Sequence, residues 1–462
     1  MRKHRPLALY LLFLTAGVLV SAIQFNCGQI AMPVGGPKDS IPPVLTSASP
    51  QNNSLEFNSR RITLNFNEYI ELDNAFKNVL VSPVPRKTPV FDYKLRTVTV
   101  RLFDTLLPNS TYTIQFGKAI KDLNEGNVLK DFVYTFSTGK YIDSLTLSGK
   151  VMLAETGTVD STLVVMLYNV HTDSVVYKQK PKYIARLDGK GNFHFRNLPP
   201  DNYQIFALKD ESGQLMYNNP LQLFAFSDSL VALKGEDHAS VNLFAYSEEK
   251  PQPKVAAQKA EPELKYSTSL VSGRQDLLTP LVLTFNNPLQ SFDSTKILLT
   301  DTSYIPVRGV GYSLDSTEKK LTLTYPWKEG SQLQLLVLEG AATDTLGAKY
   351  EKSDTLKLAV KNESDYGSVK LNFKNFDKFS HPVLQLLNEQ NAMQSFPLKS
   401  AVFELRLINP GTYTIQILED SNENGLWDPG KYEARKQPER VQRITQKLSV
   451  RANWDNELDI EL

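Results

Sequence analysis

The chain of 462 residues has a single cysteine, Cys27, so no internal disulfide is available to it. It has five histidines, and His4 lies among the first ten residues; His171, His194, His238 and His381 are scattered, with no recognisable Ser, Cys or Asp partner motif. GxSxG, HExxH, P-loop and Rossmann glycine patterns are all missing. These absences argue against an enzyme. Neither sign of charge dominates: 51 Lys and Arg stand against 50 Asp and Glu. This near-cancellation argues against nucleic acid as the main partner. Beyond residue 23 no apolar run approaches the roughly 20 residues of a spanning helix. Tryptophan occurs only three times, at 327, 427 and 454. Each is read as core or edge packing, with a sugar-stacking platform as the sharper alternative.

What is present is period-two alternation. Val, Thr, Tyr and Phe recur in short runs separated by Pro, Asn and Gly clusters, which favours strands over helices. Ile62, Leu64 and Phe66 alternate with Thr63, Asn65 and Asn67; Val98 and Val100 alternate with Thr97, Thr99 and Arg101; Tyr112, Ile114 and Phe116 form a third stripe. Each gives a strand with one buried face, and strands this short suit two packed antiparallel sheets. Tyr112 is placed to make a tyrosine-corner-like bond to the preceding turn. The length suits roughly three or four ordinary domains.

The N-terminus reads as a leader. Arg2, Lys3 and Arg5 precede an apolar run over 7–20, about the length of a signal-peptide core. The alternative is an uncleaved anchor over 7–23. Cys27 reads as a lipid-modified residue that becomes the mature N-terminus, as in bacterial lipoproteins. Gln24-Phe25-Asn26 departs from the usual small-residue lipobox, and Val20-Ser21-Ala22 also suits ordinary signal peptidase. Residues 28–43 are rich in Gly and Pro without periodicity, and read as a tether.

A sixteen-residue pattern occurs twice. FRNLPPDNYQIFALKD at 195–210 is echoed without a gap by LRLINPGTYTIQILED at 405–420. Leu198 aligns with Ile408, Pro200 with Pro410, Tyr203 with Tyr413 and Asp210 with Asp420. Such fixed spacing marks a duplicated unit, each copy a strand, a tight turn and a strand. The region 281–347 also echoes 62–126 in order, with Phe285 for Phe66 and Asp344 for Asp122. The expected fold is therefore all-β, tandem antiparallel β-sandwiches in an A-B-A-B arrangement. The boundaries read as a signal peptide 1–26, a tether 27–43, sandwiches over 44–140 and 144–247, a charged Pro-rich linker 248–265, and sandwiches over 266–361 and 365–462.

Two resemblances attach to these residues. GGPKDSIPP at 35–43, ITLNFNE at 62–68, YTIQF at 112–116, DLNEGN at 122–127 and FVYTFST at 132–138 resemble the SbsA-type bacterial Ig-like module of Bacteroidota lipoproteins. That resemblance implies a β-sandwich in an envelope protein and no activity. The pattern GxFxFxxLPPxxY at 191–203 resembles transthyretin-like or carboxypeptidase-regulatory-like sandwiches, without the peptidase domain that such modules sometimes accompany.

Two Asx-rich loops invite a metal reading. Asp122, Asn124, Glu125 and Asn127 are read as turn formers, because Asx side chains beside glycine bond nearby backbone amides. The stretch 420–428, DSNENGLWD, is more chemical. Asp420, Asn422, Asn424, the Leu426 carbonyl and Asp428 match positions one, three, five, seven and nine of a calcium loop. Lys431 stands where a bidentate glutamate is expected, and no helices flank the loop. Calcium and a plain Asx-rich hairpin both stand as readings. His194, between Phe193 and Phe195, is expected on the solvated face.

The functional expectation is a non-catalytic cell-envelope lipoprotein, outer-membrane-anchored through its N-terminal lipid, serving as spacer, scaffold or adhesin-like binding module toward an envelope protein or glycan. The runner-up is a glycan-binding accessory protein of a polysaccharide-uptake system.

Overall fold

The computed structural model describes residues 39–235, 238–250, 263–390 and 392–462. Cys27, the leader and most of the tether and linker lie outside these residues. The chain divides into a unit ending at Lys140 and a unit from Tyr141 to Leu462 that also takes Ser82–Val84. Nearly all the regular structure is β.

In the first unit the alternation in the sequence becomes a core. Ile62, Leu64, Phe66, Val98 and Val100 are buried, as are Ile114, Phe116, Tyr134 and Phe136. One sheet runs Leu45–Ser49, Arg61–Phe66, Thr97–Arg101, Val90–Lys94; the facing one runs Leu80–Ser82, Thr111–Gln115, Val133–Ser137. A two-stranded ladder joins Ile70–Leu72 to Ile120–Asp122. Along Arg61–Phe66 the apolar residues are buried and the polar ones at least partly exposed, as the pleat requires.

Residues 263–360 repeat this plan within the second unit. Tyr266–Thr268, Leu281–Phe285, Lys320–Thr324 and Gly311–Leu314 form the four-stranded sheet. Asp354–Val360, Gln332–Val337 and Ile297–Thr300 oppose it, and Leu289–Phe292 pairs with Ala342–Asp344 as the short ladder.

The other two sandwiches share a different plan. In one, Leu145–Leu153 lies between Asn192–Leu198 and His238–Ala245; in the other, Gly367–Lys374 lies between Val402–Ile408 and Asp455–Glu461. The facing sheets are Tyr183–Arg186, Val164–Tyr168, Asp201–Leu208, Phe224–Phe226 and Met393–Pro397, Pro382–Leu387, Gly411–Glu419, Arg440–Val450. The A-B-A-B order is thus visible strand by strand. The sandwiches are mainly antiparallel, as expected, with a few parallel pairings within them. The closing strand of each B sandwich returns parallel to its first strand, and Arg274–Gln275 pairs parallel with Asp354–Val360. Parallel neighbours need a long crossover connection, which the intervening strands of each sandwich supply.

The duplicated Tyr residues do the same work twice. The Tyr203 hydroxyl donates to the Pro199 carbonyl at 2.9 Å, and the Tyr413 hydroxyl to the Asn409 carbonyl at 2.7 Å. Each ring is buried and pins the turn four residues upstream. Tyr112 makes the tyrosine-corner-like contact with opposite polarity: the Leu107 amide donates to its hydroxyl at 2.7 Å.

Candidate functional site

The apolar run at 163–168 has no polar alternation, and the structure shows why. Val165 and Leu167 face the sandwich core. Met166 and Tyr168, on the opposite face, are buried too. Phe206, Phe224 and Phe226 share that outer face, with Phe206 stacked on Phe224 at 5.7 Å. One-sided strands carry polar outer residues; this sheet is apolar outside because it is covered.

The cover is an arm of the last sandwich, residues 420–439. Tyr432 is 2% exposed and sits with its ring 5.0 Å from Phe226, 5.2 Å from Phe224, and 5.8 Å from both Phe206 and Tyr177. Most of these are edge-on contacts, the favoured aromatic geometry. Its hydroxyl donates to the Asp173 carbonyl at 2.9 Å, and its amide to the Glu248 carboxylate at 3.0 Å. Arg435 pairs with the Asp173 carboxylate while its guanidinium lies over Phe226 and Tyr432. Gln437 donates to the Phe226 carbonyl and to Asp228. Burial pushes the Tyr432 hydroxyl up to about 12, with Arg435 opposing the rise.

Two glycines permit the approach. A Cβ at Gly430 would stand 2.6 Å from the Tyr246 ring and 2.7 Å from the Lys436 carbonyl; one at Gly157 would stand 2.6 Å from the Val441 carbonyl. At the latter contact the Val441 amide donates to the Ala154 carbonyl at 2.8 Å, a main-chain bond between the two B sandwiches. The third sandwich joins the fourth through the Tyr366 hydroxyl, which accepts from the Leu277 amide at 2.7 Å. Asp276 there accepts from both Lys361 and Asn409.

The loop at the root of the arm holds all four residues read as calcium ligands. Asp420 is buried and accepts from the amides of Asn424 at 3.2 Å and Gly425 at 2.7 Å. Asp428 accepts from the side-chain amides of Asn422 and Asn424. Asn422 and Asn424 each also accept a backbone amide two residues on. Glu439, a residue the sequence did not single out, is buried under the loop and accepts from Ser421 and from the Asp428 amide. Trp427 packs on Val383, Leu418 and Val441, and its indole donates to the Glu439 carbonyl at 2.7 Å. Among the described residues no three His, Cys, Asp or Glu side chains gather as a metal group. The first copy is instructive. Asp210 accepts from the amides four and five residues on, Gln214 and Leu215, in the pattern of Asp420, though the oxygens that would hold an ion are gone.

The other sequence candidates separate. Asp122 is buried and accepts from the amides of Glu125, Gly126 and Asn127 at 2.6–2.8 Å. Burial pushes its carboxyl up, but these donors outweigh it and hold the group below its ordinary range. Asp344 repeats the arrangement with the Leu346 and Ala348 amides and Asn287. His194 is exposed, 3.0 Å from the Ser148 hydroxyl, its cross-strand neighbour. His171 reaches the Asn202 carbonyl, and His381 lies 3.3 Å from Glu423. Trp327 is half-buried and donates to the Thr279 carbonyl; Trp454 is 61% exposed with Arg451 over its ring.

The model of the bacterial Ig-like domain family (Big_5) matches residues 39–138, so that segment is a bacterial Ig-like domain. No curated protein matches the sequence. Among solved structures, the major pilin subunit BcpA of Bacillus cereus is 11% identical, covering 69% of this chain and 98% of the pilin, with a TM-score of 0.17. The N-terminal part of the bacterial S-layer protein SbsC is 17% identical over 42% of this chain and 45% of that one, TM-score 0.16. The BSP domain of a biofilm-associated protein is 10% identical over 85% and 97%, TM-score 0.17. At these scores none of the three carries an argument about role. No helix among the described residues is long and apolar enough to cross a membrane.

Proposed function

We propose that this is a non-catalytic cell-envelope lipoprotein, held at the outer membrane by lipid on Cys27, whose B-A-B segment is a rigid strut. The observation that carries the reading is the seating of Tyr432 in the aromatic face of the second sandwich. A strut needs its domains fixed rather than strung, and contacts within one chain resemble a permanent interface when large and apolar. In this reading the 420–428 loop is a hydrogen-bonded turn that aims the arm; the matching turn at Asp210 supports that over calcium. Binding to an envelope protein would then use exposed loops or sheet edges. The division at 44–140, 144–247, 266–361 and 365–462 is part of the same proposal.

The anchor is tested by the intact mass of the mature protein. Diacylglyceryl on Cys27 is expected; an N-terminus at Ile23 with a free thiol would contradict it. The strut is tested by small-angle scattering of residues 141–462, where one particle dimension, unchanged by salt, is expected. Of the three tryptophans only the exposed Trp454 supports the runner-up, a glycan-binding accessory protein, since Trp327 and Trp427 have their indoles engaged.

A further inference from the structure

Where the second and fourth sandwiches meet, they leave a groove of about 540 Å³. Four cations line it: Lys150 from one sandwich, and Arg440, Arg443 and Lys447 from the other. Glu419 is the one carboxylate in its lining, and it is taken by Arg440 at 2.7 Å. Among the described residues Lys150, Arg443 and Lys447 enter no ion pair. The Arg440 guanidinium also lies over the half-buried Phe244 ring at 5.1 Å. Phe379 and Met152 complete an apolar floor between the charges.

Basic residues on an edge strand serve ordinarily to repel other strands, and Arg440–Val450 is an edge. That role accounts for Arg443 and Lys447. It does not account for Lys150, which reaches the same groove from an inner strand of another sheet. Convergence of like charges from two sandwiches costs repulsion unless an anion joins them. An acidic peptide added as a strand is the poorer fit. The edge strand carries two extra residues between Lys447 and Arg443, opposite Thr414 and Gln416, and such a bulge breaks the ladder. Its Val441 amide is already taken by Ala154.

We infer that the groove binds a carboxylated oligosaccharide, a sugar face on Phe379 and acid groups on Arg443, Lys447 and Lys150. The volume lies within the range of about 300–1,000 Å³ usual for small-ligand clefts. Arginine's planar fork suits a carboxylate, and separated lysines suit acid groups repeated along a chain. The inference is independent of the lipid anchor, and its failure leaves the Tyr432 clasp untouched.

The test is calorimetric titration of the full chain, in detergent micelles, with oligogalacturonate, its methyl-esterified neutral form, and polyglutamate. Saturable binding to oligogalacturonate is expected, weakened at least about tenfold in the R443Q/K447Q double variant, with the ester bound no better than that variant binds the acid. K150Q, on the opposite wall, should weaken binding independently, which guards against misfolding of the edge strand. No saturable binding, equal binding of the ester, or indifference to both K150Q and R443Q/K447Q would overturn the inference. Polyglutamate binding as tightly, with the same sensitivity, would overturn it in favour of an acidic peptide.

Discussion

Tyr432 and Asp173 are 259 residues apart in sequence and joined by a hydrogen bond of 2.9 Å, hydroxyl to main-chain carbonyl. That bond crosses from the fourth sandwich to the second, with the whole third sandwich lying between them in the chain. Around it four aromatic rings close on Tyr432. Removing the ring should therefore cost far more than removing the hydroxyl. Tyr432→Ala should lower the stability of residues 141–462 by about 3–5 kcal/mol, as for other buried aromatic truncations. Tyr432→Phe should cost about 1 kcal/mol, the net worth of one hydrogen bond. Urea titration of the two variants separates these; equal losses would mean that the ring packing contributes nothing.

Gly430 gives a steric version of the same test. A methyl there meets the Tyr246 ring and a main-chain carbonyl, and the carbonyl cannot swing aside. Gly430→Ala should expose the arm to limited proteolysis between 429 and 439 while the first unit keeps its melting temperature. An arm as resistant as the wild type would show that the close approach is not kept in solution.

Alkali should loosen the clasp. The folded-state value of Tyr432 is raised to about 12 from an ordinary 10.0, so the folded protein holds the phenolic proton more tightly. The stability linked to it is fully present below pH 10 and drains away as pH rises toward 12. In Tyr432→Phe this part of the alkaline loss should be missing, as read by unfolding midpoints at pH 9 and 11. A variant that loses stability as steeply as the wild type would contradict the assignment.

Acid acts through the turn carboxylates. Asp122 and Asp344 are both held below the ordinary value of 3.8: burial works against this, and amide donors together with Asn287 at Asp344 override it. Their contribution is present above about pH 4 and is lost as pH falls through the lowered values. The urea midpoint should be level from pH 6 to pH 5 and fall below pH 4, less steeply in Asp122→Asn with Asp344→Asn. A flat profile down to pH 2.5 would contradict it.

The 420–428 loop makes a prediction about metal. Asp420 is satisfied by two main-chain amides in the geometry that Asp210 reaches without the neighbouring oxygens. EDTA should leave the melting temperature of the 141–462 segment unchanged. Asp420→Ala should lower it, because the Asn424 and Gly425 amides lose their acceptor, at about 1–3 kcal/mol for a buried unmet group. A calcium-dependent rise in melting temperature would install the ion and overturn the turn reading.

Much of the fold was legible because it rests on period two. Ile62, Leu64 and Phe66 announce one buried face by themselves, and the paired Tyr203 and Tyr413 announce the duplication. The parallel return of the closing strands was not legible, since alternation fixes a face and says nothing of direction. Nor was the clasp. The apolar run at 163–168 suits a strand buried on both faces or a sandwich core, and sequence does not name what covers it. Tyr432 lies among Lys, Glu, Arg and Lys, in a segment that reads as solvated. Glu439 was hidden for the same reason: a lone acid between Pro438 and Arg440 has no pattern until the loop folds over it. The groove cations come from strands about 290 residues apart, and only the docking of the two sandwiches assembles them.

Scanning calorimetry of residues 141–462 tests the central claim most directly. If the second and fourth sandwiches are locked through Tyr432, wild type melts in one cooperative transition and Tyr432→Ala splits it in two. Two transitions in the wild type, or one unbroken transition in Tyr432→Ala, would contradict the strut.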